Sequence, residues 1–142
     1  MQAHGCFDLW VDNQVLLARI SGAWNEEEAL LYFKKLKEIT KPIIDKPWAM
    51  MLNLTNSELN TPGADQIAST IVQWCLNHGI ASVAEVYKPS LLKKRQFERL
   101  TKKLSSEIER CQFSDETEAF AWLTTQGYPV QLEQLINRPP NV

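Results

Sequence analysis

A polar segment that follows an uncharged apolar run carries the side chains best suited to binding. Residues 48–52 carry no charge and do not alternate, which is typical of a central strand covered on both faces. Thr61 and Pro62 fit a helix start, because Thr supplies a capping oxygen and Pro loses no useful donor there. Backbone N–H groups at such a start favour an anion. The candidate binding residues here are Thr55, Asn56, Ser57, Asn60 and Thr61.

A basic segment supplies a second candidate surface. Residues 88–103 contain seven of the chain's 15 basic residues and one acid, Glu98. On a helical projection two leucines of the first turn point with the basic face, which suits an acidic partner or an anionic amphiphile. The alternative is a solvated helix face rich in Lys. The candidate residues are Lys88, Leu91, Leu92 and Arg95, expected at the same sheet edge as the polar segment.

Catalytic and metal-binding patterns are weak. Cys75 and His78 stand three residues apart, but a zinc site needs a second such pair, so we expect no metal. Phosphate-loop, dinucleotide-binding, zinc-protease and serine-hydrolase motifs are absent. Glu58 and Asp65 could form an acid–base pair, although Asp65 is more simply a residue that matches the helix dipole. The sequence therefore favours a binding protein without a cofactor, and an acid–base enzyme ranks third.

Composition narrows the class of protein. The 142 residues suggest one domain, and 44% hydrophobic with 23% charged residues is ordinary globular material. A net charge of −2 and no aromatic residue interleaved on the outer basic face argue against nucleic acid. The three scattered cysteines fit a reducing cytoplasm. We expect neither a signal peptide nor a membrane span, since no apolar run approaches roughly 20 residues.

The order of elements predicts the fold class. Residues 6–12 and 14–20 alternate as a hairpin, and Asn25 with Glu28 predicts a capping box. A strand at 48–52, a loop at 53–61 and a helix ending at Gly79 follow. A strand at 80–87, a helix at 89–105, a strand at 110–113 and a helix capped by Ser114 and stopped by Gly127 complete the series. This alternation predicts a single-domain α/β sandwich with a mixed, mostly parallel sheet and about four helices.

The chain ends in a segment with little regular structure. Residues 128–142 form a tail that contains three Pro. Within it, residues 130–137 could add a short docked helix. The predicted core therefore spans about residues 5–126.

Three stretches of the sequence resemble the bacterial sporulation-antagonist-like branch of the STAS superfamily, which includes anti-sigma-factor antagonists. They are residues 20–24 (ISGAW), the strand–loop–helix at 48–79, and residues 113–123 (FSDETEAFAWL). Antagonists of this kind carry Asp-Ser-Ser/Thr-Gly before the helix, where a hydroxyl is phosphorylated to release a partner kinase. Here the sequence is Asn60-Thr61-Pro62-Gly63. The resemblance implies a domain without the usual phospho-acceptor, in which Thr61 is the candidate phosphorylation site.

The resemblance implies a function by binding. The first hypothesis is a cytoplasmic regulatory protein-interaction module, whose partner could include a second copy of the chain in a homodimer. STAS-like folds also resemble lipid-carrying CRAL-TRIO domains. The second hypothesis is therefore a carrier or sensor of a small apolar or anionic ligand.

Overall fold

The computed structural model describes residues 5–87 and 108–131. The predicted helix at 89–105, the last part of the tail, and the candidate residues Lys88, Leu91, Leu92 and Arg95 lie outside these ranges. Within the described residues the elements are β1 (Cys6–Asp12), β2 (Val15–Gly22), α1 (Glu26–Ile39), β3 (Trp48–Ser57), α2 (Pro62–Asn77), β4 (Ile80–Val86), β5 (Glu109–Phe113) and α3 (Glu116–Thr125).

The strands form one mixed sheet in the order β1-β2-β3-β4-β5. The hairpin of β1 and β2 is antiparallel, and the three remaining pairs are parallel. The predicted mixed, mostly parallel α/β sheet is therefore confirmed. β3 lies at the centre of the sheet, and its first four residues, Trp48 to Met51, are buried.

The two faces of the sheet carry separate cores. Trp48 and Met50 of β3 face α1 and α2, whereas Ala49 and Met51 face α3. Every one of these four side chains is at most 5% exposed. Because successive strand residues point to opposite faces, a strand buried on both sides has no polar positions to alternate.

β3 is longer than the sequence predicts. Asn53 to Thr61 was expected to be a loop, but β3 continues to Ser57, so Thr55, Asn56 and Ser57 are strand residues. The cause is pairing with β2, which resumes beyond an irregularity and sets Ser21 opposite Asn56. The loop before α2 is therefore shortened to residues 58–61.

The residues that cap and end the helices are those that the sequence predicts, with one exception. The capping box of Asn25 and Glu28 is present, and Gly79 adopts a left-handed φ of +88° after α2, as predicted. Ser114 does not cap α3, contrary to the prediction. The cap is Asp115, whose carboxylate accepts from the N–H of Glu118 at 2.8 Å. Asp competes well with Ser for this role because its oxygen carries a charge.

The helices of the described part are short or carry charges along their length. None of them combines the length and apolarity needed to cross a bilayer.

Candidate functional site: a cavity between the sheet and two helices

A cavity of about 160 Å³ lies between α1, α2 and the facing side of the sheet. Both helices contribute small side chains to the cavity wall. These are Ala29 of α1 and Ala64 and Ala68 of α2. The rest of the described wall is mostly apolar and includes Ile20, Met50, Leu52, Leu54, Ile71, Val72, Ile80 and Val83.

Polar side chains line the cavity where β3 ends. Ser57, Glu58 and Asn60 lie at this carboxyl edge of the sheet. The backbone N–H of Trp24 donates to Oδ1 of Asn60 at 3.1 Å, and the N–H of Thr61 donates to the carbonyl of Trp24 at 3.0 Å. These bonds join the loop before α1 to the loop before α2. They hold the polar edge in place beside the apolar interior.

The start of α2 already carries its own oxygen atoms and negative charge. The hydroxyl of Thr61 accepts from the N–H of Ala64 at 3.2 Å, as predicted for a cap. The carboxylate of Glu26 lies against Gly63, since a methyl group added at Gly63 would collide with it. Asp65 adds a second acid in the first turn. These carboxylates match the helix dipole and oppose a further anion at this position.

Two hydrogen-bonding groups of the cavity wall are buried. Tyr32 is 6% exposed and Cys75 is 3% exposed. Burial raises the pKa of the Tyr32 hydroxyl, and the nearby Cys75 acts in the same direction. Burial also raises the pKa of the Cys75 thiol to about 12. Both groups therefore keep their protons at neutral pH and remain uncharged.

A buried charged group also lines the cavity. Glu85 of β4 is fully buried, and its carboxylate accepts from Nε of Arg110 at 2.6 Å and from Nε2 of Gln112 at 2.7 Å. Both partners come from β5, whose register places Gln112 opposite Glu85. Sequence reasoning did not single out these residues. The only signal was one acid within an otherwise uncharged strand.

The structure brings only part of the predicted site together. Ser57 and Asn60 line the cavity, and Thr61 caps the adjacent helix. Thr55 and Asn56 lie in β3 outside the cavity wall, and the N–H of Thr55 donates to Oδ1 of Asn53 at 2.9 Å. Of the two acids considered for catalysis, Glu58 lines the cavity and Asp65 does not.

The residues considered for metal binding make other contacts. Nδ1 of His78 lies 2.8 Å from the carbonyl oxygen of Trp74, and the two rings stack at 4.1 Å. Within residues 5–87 and 108–131, no group of three or more His, Cys, Asp or Glu side chains is placed to hold a metal ion.

Comparison with known proteins identifies the fold. No protein-family model matches the chain, and no curated protein is significantly similar to it. The fold is similar to that of an uncharacterized protein from the DUF3478 family with a SpoIIAA-like fold, from Shewanella loihica PV-4. The TM-score is 0.63 at 17% identity, over 87% of this chain and 98% of that one. The match confirms the predicted STAS-like fold, and at this identity it shows the fold alone.

Proposed function

We propose that this STAS-like domain is a non-enzymatic carrier or sensor that holds a small, largely apolar ligand in the cavity. The observation that carries the proposal is the volume of about 160 Å³ within a mostly apolar wall. An engineered apolar cavity of about 150 Å³ stays dry and binds benzene. A ligand with one ring, or a short branched chain, therefore fits the space.

The reactive groups of the cavity wall support binding rather than catalysis. Cys75 is a poor nucleophile, because burial raises the pKa of its thiol and only a thiolate attacks efficiently. Both oxygens of Glu85 already accept hydrogen bonds, from Arg110 and Gln112. A carboxylate held in this way is a structural partner more readily than a proton acceptor. We place the domain in the cytoplasm, where its three free cysteines are stable.

An NMR titration with benzene tests this proposal. We expect saturable shifts at the amides of Ala68, Ile71 and Val83, which line the cavity. The substitution Ala68→Leu should abolish them by filling the space. The matched control is Ala121→Leu, which makes the same change at an exposed position of α3 and should leave binding intact. Shifts that do not saturate, or equal binding by both variants, would contradict the proposal.

A second candidate function, the regulatory protein-interaction module, is supported by apolar side chains on the surface. Leu30 and Leu31 of α1 are 55% and 51% exposed, and Leu59 in the loop before α2 is 45% exposed. Exposed apolar area of this kind suits a protein partner, including a second copy of the chain. Sedimentation equilibrium of the wild type and of Leu31→Glu tests self-association. A monomer in both cases removes the homodimer.

A further inference from the structure

We propose that the ligand of this cavity is electrically neutral and carries one hydrogen-bond acceptor that pairs with the hydroxyl of Tyr32. This inference rests on the proposed function. It adds the chemical class of the ligand and the residue that selects it. Ketones, ethers and alcohols with a small apolar body belong to this class.

The first step concerns the position of Tyr32. Its ring is held edge-on by Phe7 at 5.4 Å and by Trp24 at 5.2 Å between centroids, so the side chain has little freedom to turn toward solvent. Within residues 5–87 and 108–131 the Tyr32 hydroxyl forms no hydrogen bond, and it is not one of the fully buried polar atoms that lack a partner, so it keeps accessible surface. Tyr32 lines the cavity, so its O–H group is a donor that has accessible surface and no partner within the described residues. A ligand in the cavity would supply that partner.

The second step concerns the proton. Desolvation favours the neutral phenol, and the Cys75 thiol beside it is neutral as well. Tyr32 therefore offers one O–H donor at any physiological pH. The complementary ligand atom is an oxygen that accepts this hydrogen bond.

The third step concerns charge. The described residues of the cavity wall include two acids, Glu58 and Glu85, and no Lys or Arg. Glu85 is already balanced by Arg110, so it does not call for a cationic ligand. A carboxylate ligand would lose its hydration and meet Glu58, with Glu26 at the nearby start of α2. The described part of the wall therefore favours a neutral molecule over an anion.

Two ligands of equal shape test the role of Tyr32. Cyclohexanone carries a carbonyl oxygen at the position where methylenecyclohexane carries a methylene group, and the two molecules are otherwise alike. We expect Tyr32→Phe to weaken the binding of cyclohexanone about fivefold, which corresponds to one net hydrogen bond of about 1 kcal/mol. The affinity for methylenecyclohexane should change by less than about twofold. Equal effects on both ligands, or on neither, would overturn the assignment of Tyr32.

A charged ligand tests neutrality. Cyclohexanecarboxylate should bind the wild type at least about tenfold more weakly than cyclohexanone does, since an ion loses more hydration free energy on entering an apolar wall. Tighter binding of the carboxylate would overturn the neutral class and favour an anionic ligand.

Two controls separate this inference from the proposed function. Binding of methylenecyclohexane to the wild type, and its loss in Ala68→Leu, reports on the cavity alone, so its failure refutes the proposed function itself. The melting temperature of ligand-free Tyr32→Phe should be unchanged or higher, because the hydroxyl that is removed forms no hydrogen bond within residues 5–87 and 108–131. A lower melting temperature would show that Tyr32 has a partner in the free protein and would overturn the inference.

Discussion

Arg110 and Glu85 form a buried ion pair in which Nε of Arg110 lies 2.6 Å from Oε2 of Glu85. The side chains are 8% and 0% exposed. Because Glu85 belongs to β4 and Arg110 to β5, the pair fixes the five-residue strand β5 against the sheet. Removing one partner of such a pair lowers the stability of the fold, because the other partner is then left as an uncompensated buried charge.

Removal of Arg110 alone should therefore be severe. We expect Arg110→Met to lower the free energy of unfolding by about 3–5 kcal/mol, measured by urea denaturation. The double variant Glu85→Leu with Arg110→Met should recover most of this loss, because no charge then remains buried. If the double variant is as unstable as the single one, the pair does not act through charge.

A second ion pair should make stability depend on pH. Glu116 of α3 accepts from Nε and Nη2 of Arg19 at 3.0 and 2.9 Å, and from Nδ2 of Asn53 at 2.7 Å. Burial raises the pKa of Glu116, but the hydrogen bonds from Arg19 and Asn53 and the charge of Arg19 outweigh it and lower the pKa below 4.5. The stabilisation is therefore complete above pH 4.5 and is lost as the pH falls through the folded-state pKa.

The variant Glu116→Gln isolates this contribution. It should be less stable than the wild type at pH 7, and the two denaturation curves should converge as the pH falls through the lowered folded-state pKa of Glu116. Glu118→Gln is the matched control, because Glu118 is an exposed acid of the same helix turn. A gap that stays constant with pH would exclude ionisation of Glu116 as the cause.

Loss of the cap at Thr61 should destabilise the domain whatever it binds. We expect Thr61→Ala to cost about 1 kcal/mol, because the N–H of Ala64 loses its acceptor. Ser69→Ala, an exposed substitution within α2, should be neutral or slightly stabilising, since Ala has the higher helix propensity. Thermal unfolding of both variants checks the difference. Equal melting temperatures would mean that the cap contributes nothing.

The cysteines should differ in reactivity. Cys75 is buried with the pKa of its thiol raised to about 12, whereas Cys6 is exposed. Alkylation by iodoacetamide at pH 8 should therefore modify Cys6 at least about tenfold faster than Cys75, because the thiolate is the reacting form. Peptide mass spectrometry over time measures both rates. Comparable rates would show that the cavity opens readily to solvent.

The sequence predicts those parts of the fold that depend on local chemistry. Asn25 and Thr61 cap the helices as expected, and Gly79 ends α2, because each effect acts within a few residues. The extension of β3 through Thr55–Ser57 was not predicted, since these side chains favour turns and only pairing with β2 makes them a strand. Pairing between distant segments leaves no local signal.

The site is less predictable than the fold. The polarity of Ser57 and Asn60 made them candidates, whereas no sequence pattern sets Tyr32 apart from the apolar residues of α1. A lone Glu85 in a strand predicts exposure, and its burial depends on Arg110, 25 residues further along the chain. The alanines at 64 and 68 were visible in the sequence, yet only the distance between helix and sheet decides whether they leave a cavity.

The same cavity has a consequence for volume. Unfolding eliminates internal voids, so a protein that contains one occupies less volume when unfolded, and hydrostatic pressure shifts the equilibrium toward the unfolded chain. The part of the cavity of about 160 Å³ that water does not fill should make this domain sensitive to pressure. A bound ligand that fills the cavity would leave less empty volume to be lost on unfolding. The volume decrease on unfolding would then be smaller, and the folded state would persist to higher pressure.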